Sequence, residues 1–286
     1  MLYRKIERTI EQHLMSGSNK ILLVDGARQI GKTYIIRYVG NKLFENYIEI
    51  NMIEDSLGNH LFEKVKTIED FYLQVSMLAG AKMQEKENTL IFIDEIQAYP
   101  HLLTLLKFLS QDNRFTYIAS GSLLGVTLSQ TTSIPMGSIQ KIQMYPLDFE
   151  EFLWANGITE QVIAFLLQCL QNGTPVPDAL HQRMRELLLQ YTVVGGMPDA
   201  VQTFVNTKRM DEVLQIQRDI VRSYEDDMVK YADRKDKAVI RECFQSIPKQ
   251  LSKENKKFQY SVVKKGATAS KFAGSLQWIE DAGIIT

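Results

Sequence analysis

Along the first 150 residues, apolar positions gather in short runs of strand length, separated by stretches with helical periodicity. The first run is Ile21-Leu22-Leu23-Val24; the others are Tyr47 to Met52, Leu90 to Ile93, Phe115 to Ala119 and Ile139 to Met144, with helix-length segments between the first four. Strands that alternate with helices predict a parallel sheet covered on both faces. Ahead of the first strand, residues 3 to 14 read as an amphipathic helix, which Ser16-Gly17-Ser18-Asn19 ends. Pro146 stops the last strand, and Phe149 to Asn156, with its acidic start, reads as the helix leaving the sheet.

From Thr159 the pattern turns helical, interrupted by Asn172-Gly173-Thr174-Pro175-Val176-Pro177 and by Gly195-Gly196-Met197-Pro198, and no convincing strand precedes Lys257. The segment from Asp236 to Ala282 reads as a helix, a short strand or turn at Tyr260 to Val263, and a second helix from about Thr268. That order suits a helix-turn-helix or the first part of a winged helix. The expected organisation is an α/β core over 1–155, an all-α lid over 156–235 and a partial winged helix over 236–286.

Composition narrows the class. Hydrophobic residues at 45% and charged residues at 23% of 286 sit at globular averages. No run reaches the ~18 apolar residues of a membrane span, and the charged N-terminus MLYRKIERTIEQHL lacks a signal-type apolar core, so a cytoplasmic protein with no membrane partner is expected. Cys169 and Cys243 stand far apart without metal-ligand spacing, and read as buried free thiols. The formal net charge of −1 hides an asymmetry: residues 1–200 carry −5 and residues 201–286 carry +4, with seven lysines and one acid between Lys249 and Lys271. Any nucleic-acid contact is expected there, with Lys264, Lys265 and Lys271 on phosphates.

Candidate chemistry begins directly after the first strand. Gly26-Ala27-Arg28-Gln29-Ile30-Gly31-Lys32-Thr33 fits G-x-x-x-x-G-K-[ST] at every specified position, with a strand before and a helix after. Glycines let successive backbone N–H groups turn inward onto phosphate oxygens, and the following helix adds the positive end of its dipole. Lys32 is expected to reach the β- and γ-phosphates of a nucleotide, and the Thr33 hydroxyl to ligate Mg²⁺. The run Leu90-Ile91-Phe92-Ile93 ends in Asp94-Glu95. Asp94 is expected to hold the metal, and Glu95 to take the proton of an attacking water. At the end of the next strand, a hydroxyl or amide can orient that water, with Ser120 the first choice ahead of Gly121 and Ser122.

Together these pieces resemble a prokaryotic group of AAA+ ATPases in which the P-loop core is joined to a C-terminal domain of unknown function. The matching residues include the phosphate loop, Ile93-Asp94-Glu95-Ile96-Gln97 with Pro100, Ser120-Gly121-Ser122, Tyr145-Pro146-Leu147-Asp148-Phe149-Glu150-Glu151-Phe152, Val194-Gly195-Gly196-Met197-Pro198 and Trp278-Ile279-Glu280-Asp281-Ala282-Gly283. The resemblance implies a P-loop NTPase fold of the AAA+ type, ATP or ADP as nucleotide with Mg²⁺, and ATP hydrolysis; self-association is a separate expectation, with the oligomeric state left open. Adenine over guanine rests on it, together with the absence of an Asn/Thr-Lys-x-Asp motif. Such proteins usually continue past the winged helix, so the ending at Ile284-Ile285-Thr286 is expected to mark a truncated chain. Gly137-Ser138 stands where some relatives carry Gly-Arg, which leaves Arg114 and Arg28 as arginine-finger candidates. The Gly-Gly-Met-Pro stretch is similar to the Gly-Leu-Pro segment of STAND signalling ATPases, which implies that Pro198 closes the base pocket.

Other residues carry no chemistry in this reading. His101 has no second ligand or nucleophile beside it, and Phe149, Phe152 and Trp154 share one helix face as packing residues. Two rival functions remain open: a nucleotide switch with negligible turnover, and a DNA-binding regulator whose core positions the C-terminal helices.

Overall fold

Strands β1 (Ile21–Asp25) and β3 (Thr89–Asp94) are buried at every position, whereas β2 (Asn46–Asn51) and β5 (Ile139–Gln143) alternate or are largely exposed. Continuous burial belongs to strands covered on both faces, and the mixed pattern to edges. The computed structural model, which describes residues 2–122, 137–232, 236–254, 257–263 and 269–285, places them accordingly. With β4 (Thr116–Gly121) they form a five-stranded parallel sheet of order β2-β3-β4-β1-β5.

Because side chains alternate along a strand, the sheet sorts its apolar residues into two cores. Leu22, Val24, Leu90, Phe92 and Ile118 face one way, against α1 (Ile6–Met15) and α2 (Lys32–Leu43). Leu23, Ile48, Ile50, Ile91 and Ile93 face the other, against α4 (Ile68–Ala79) and α5 (Pro100–Asp112). Between β2 and α4 lies the short α3 (Met52–Leu57), whose Asn51 side chain accepts the amides of Ile53 and Glu54. The α/β class with helices on both faces is therefore the fold.

Helix α6 (Phe149–Ala155) starts on a capping box: Asp148 accepts the Glu151 amide at 2.9 Å, and Glu151 accepts the Asp148 amide at 3.1 Å. Four further helices follow, α7 (Glu160–Asn172), α8 (Asp178–Val194), α9 (Pro198–Thr207) and α10 (Met210–Tyr231). Phe152, Leu187, Val201, Phe204 and Val213 bind α6, α8, α9 and the start of α10 into a third core. The far end of α10 supplies Met228 to a fourth, with Ile240 and Cys243 of α11 (Lys237–Leu251) and Phe272 and Ile279 of α13 (Ala269–Asp281). One long helix thus joins both C-terminal cores.

Tyr260–Val263, read from the sequence as a strand or turn, is a short helix, α12. Tyr260 and Val263, both half-buried, pack against the α11 and α13 core, a spacing of three residues that puts them on one face of a helix turn. No helix among the described residues is long and apolar enough to cross a membrane. Both cysteines are buried and free, and burial raises the Cys243 thiol pKa to about 11.

Candidate functional site: a phosphate loop facing two carboxylates

The loop between β1 and α2 is shaped by two glycines. Gly26 has φ +151°, and a Cβ there would stand 2.3 Å from the Met144 carbonyl oxygen; Gly31 has φ +93°. No side chain fits at the first, and only glycine holds the second without strain. Lys32 opens α2 and folds back into the loop, where its Nζ donates to the carbonyls of Gly26 at 2.9 Å and Ala27 at 2.7 Å. Burial lowers its pKa, against the pull of Glu95, Asp25 and Asp94. Burying an ammonium among neutral carbonyls costs free energy that a nearby negative charge offsets.

Strand β3 delivers the carboxylates. Asp94 is 1% exposed and accepts from the Thr33 hydroxyl at 2.8 Å and from Ser120. Burial raises its pKa, with the Ser120 hydrogen bond opposing and Glu95 adding. Glu95 leaves the strand in the left-handed region, φ +51°. Its carboxylate takes Ser122 Oγ at 2.8 Å and the Gln97 amide. Ser120 therefore sits on Asp94, while Ser122 and Gln97 hold Glu95. The pairing of Ile93 with Ala119 explains both, because it brings Asp94 level with Ser120 and Glu95 toward Ser122.

No cluster of three or more His, Cys, Asp or Glu residues among the described residues could hold a metal. A hydroxyl and one dehydrated carboxylate do suit Mg²⁺, which keeps waters and binds through one or two protein oxygens plus substrate phosphates. Thr33 and Asp94 are the residues that would hold it.

Beside the loop opens a cleft of about 560 Å³, whose walls include Arg4, Gly31, Lys32, Thr33, Glu95 and Pro198. Pro198 Cγ lies 3.8 Å from where a Gly31 Cβ would be. It is held there because Leu147 donates its amide to the Gly196 carbonyl at 2.7 Å and Tyr191 donates to the Leu147 carbonyl at 2.8 Å. Gly196 has no room for a Cβ, which would fall 2.1 Å from the Leu147 oxygen. The Gly-Gly-Met-Pro segment is thus docked on the link between β5 and α6.

Several contacts have no local sequence signal. Buried Arg4 donates to Ile30 O at 2.9 Å, to Tyr145 O at 2.6 Å and to Glu151 Oε1 at 3.2 Å, tying the N-terminal segment to the phosphate loop, the link after β5 and α6. From α10, Asp227 binds the Arg28 guanidinium, Tyr224 OH donates to the Arg28 carbonyl at 2.8 Å, and Ser223 Oγ takes the Gln29 amide at 3.1 Å. Arg114 lies instead at the opposite end of β4, 4.4 Å over the Tyr72 ring. Lys264 and Lys265 lie outside the described residues, as does the side chain of Lys271.

A parallel sheet with a glycine-shaped loop, a lysine folded into it and two carboxylates opposite defines a P-loop nucleotide-binding domain. Residues 18–153 match the family model described as an AAA domain. Over that stretch, a little under half of the chain, the protein is similar to the AAA-type P-loop ATPases. Residues 185–286 match a model described as a domain of unknown function, DUF8612. The uncharacterized protein MJ1544 of Methanocaldococcus jannaschii is 28% identical over 149 residues, covering 52% of this chain and 31% of that protein; the chain spans about a third of that relative's length. The Walker-type ATPase PABY2304 of Pyrococcus abyssi shares the fold at TM-score 0.58 and 14% identity, over 99% of this chain and 90% of that one. The Aeropyrum pernix ORC1 protein, solved in complex with DNA, aligns at TM-score 0.44 and 13% identity over 99% and 84%, too loosely to carry an argument.

Proposed function

We propose that the chain binds Mg-ATP at this loop and hydrolyses it to ADP and phosphate, changing how the C-terminal helices sit on the core. The observation that carries the proposal is the meeting of Lys32, Thr33 and Asp94 at one loop, with Glu95 a residue away. The loop amides from Gly26 to Thr33 would take the phosphate oxygens, and Lys32 would exchange the carbonyls of Gly26 and Ala27 for the β- and γ-phosphates. Bound Mg²⁺, on Thr33 and Asp94, would neutralise charge on the phosphates. Glu95 would take the proton of the attacking water, and Ser122 and Gln97 fix where that carboxylate points. Pro198 would close the cleft over the base. A cytoplasmic location and self-association belong to the same proposal.

A second reading, a slow nucleotide-dependent switch, draws support from the engagement of Glu95 by Ser122 and Gln97. Steady-state phosphate release separates the two. A hydrolase gives Mg-dependent release that Glu95→Gln abolishes; a switch gives none above that variant. A third component, weak DNA contact through the basic stretch from Lys249 to Lys271, rests on its net charge of +6.

A further inference from the structure

The phosphate loop is gripped from outside its own domain. Three consecutive loop residues, Ala27 to Gln29, are engaged by segments within 185–286. Asp227 of α10 binds the Arg28 side chain, Tyr224 donates to the Arg28 carbonyl at 2.8 Å, and Gln29 donates to Ser223 at 3.1 Å. The turn after α13 closes on the same loop: a Cβ on Gly283 would lie 3.2 Å from the Ala27 amide nitrogen.

Asp227 is the unusual member. It is 5% exposed, and its Oδ2 is buried without a hydrogen-bond partner among the described residues. A half-satisfied carboxylate in a buried ion pair gains little net stability, because desolvation offsets most of the attraction. Arg28 also stands close enough to Lys32 to disfavour its charged form, and Glu95 acts likewise on Asp227. The pair therefore lies within the field of the phosphate site. A guanidinium fits carboxylate and phosphate equally well in shape, and favours the ligand with more negative charge.

We infer that Asp227 is a nucleotide-sensing residue: it holds Arg28 while the loop lacks a triphosphate, and gives it up to the terminal phosphate when ATP enters. The inference rests on the ATP-binding reading above. Releasing Arg28 removes the charged tie between α10 and the loop, and loosens the Gly283 turn that closes on the same loop. ADP has no terminal phosphate to claim Arg28, so it leaves the grip in place. The domain of unknown function would then read the γ-phosphate through α10.

The test uses the full chain. Affinities for ATP and ADP are measured by calorimetry with Mg²⁺, and amide hydrogen exchange is followed over residues 219–231 and 279–285. In the wild type, ATP should raise exchange in both segments several-fold and ADP should not. Asp227→Asn should raise it without nucleotide and improve the ATP-to-ADP affinity ratio by about tenfold, within the usual range of site-to-site coupling. Asp227→Glu should restore the wild-type ratio. Tyr224→Phe, which keeps every charge, should move both readouts the same way but less, and carries the test if Asp227→Asn does not fold. Saturating ATP with unchanged exchange in both segments, or Asp227→Asn and Tyr224→Phe with the wild-type ratio, would overturn the sensing role and leave the nucleotide site standing. A wild type that binds neither nucleotide would overturn the ATP reading and the inference with it.

Discussion

Replacing Lys32 by alanine isolates what the loop does from how it is held. At about 4 Å and an effective permittivity of about 20, one ammonium and one phosphate charge attract by ~4 kcal/mol. Lys32 is already buried in the free protein, so little further desolvation is charged against this. It must, however, leave the carbonyls of Gly26 and Ala27, and hydrogen bonds to a charged group are worth ~1.5–3 kcal/mol. Lys32 gains two such attractions, to the β- and γ-phosphates, ~8 kcal/mol together, and gives up two such bonds, ~3–6 kcal/mol, so the net loss in Lys32→Ala is ~2–5 kcal/mol, a weakening of Mg-ATP binding of roughly 30- to 5,000-fold. Lys32 itself lines the cleft, so the space its side chain vacates opens to water, which can reach the two carbonyls left behind. The fold should therefore stay within ~1 kcal/mol, a shift in Tm of roughly 2–4 °C. Calorimetric titration and a thermal melt of the same sample measure both. Equal ATP affinity in variant and wild type would refute the phosphate-loop assignment; lost affinity with a collapsed melt would refute the separation of binding from stability.

Glu95→Gln should keep Mg-ATP affinity and slow phosphate release by about 10²–10⁴, and normal turnover would move the base elsewhere. Asp94→Asn should raise the Mg²⁺ concentration needed for half-maximal binding, which a magnesium titration reads; an unchanged midpoint would remove Asp94 from the metal. Gly196→Ala forces a methyl against the Leu147 carbonyl and should destabilise the chain by ~1–3 kcal/mol, seen in chemical denaturation. For the basic segment, duplex-DNA binding followed by anisotropy should weaken with salt at a slope of about −0.9 per neutralised phosphate, and replacing Lys264, Lys265 and Lys271 together should flatten it by up to ~3; binding unchanged in the triple variant would make the segment a packing element.

How much could be read in advance depended on sequence distance. The phosphate loop is eight contiguous residues in a strand-to-helix turn, so its geometry follows from local chemistry. The strand ending in Asp94-Glu95 is also contiguous, and the central strands announce themselves as unbroken apolar runs. Assigning Ser120 and Ser122 is harder: one stands near the end of β4 and the other follows it, and which carboxylate each meets depends on the register between β3 and β4. The hold on Arg28 is harder still, since Asp227 is 199 residues away and an acid near the end of a charged helix looks like any solvated one. Arg4 gives no signal either, because its three partners stand 26, 141 and 147 residues along the chain. Tyr260–Val263 shows the converse, where β-branched composition suggests a strand and the segment is a helix whose half-buried Tyr260 and Val263 meet the α11 and α13 core.

The central claim, hydrolysis at this loop, is tested most directly by a single turnover. Wild-type chain is loaded with less than one equivalent of γ-labelled ATP, magnesium is added, and the label is followed as nucleotide and as free phosphate, with Glu95→Gln alongside. The account predicts that the bound label passes to phosphate in the wild type and stays in ATP in the variant. Recovery of intact ATP from both, after stoichiometric binding by both, would contradict it.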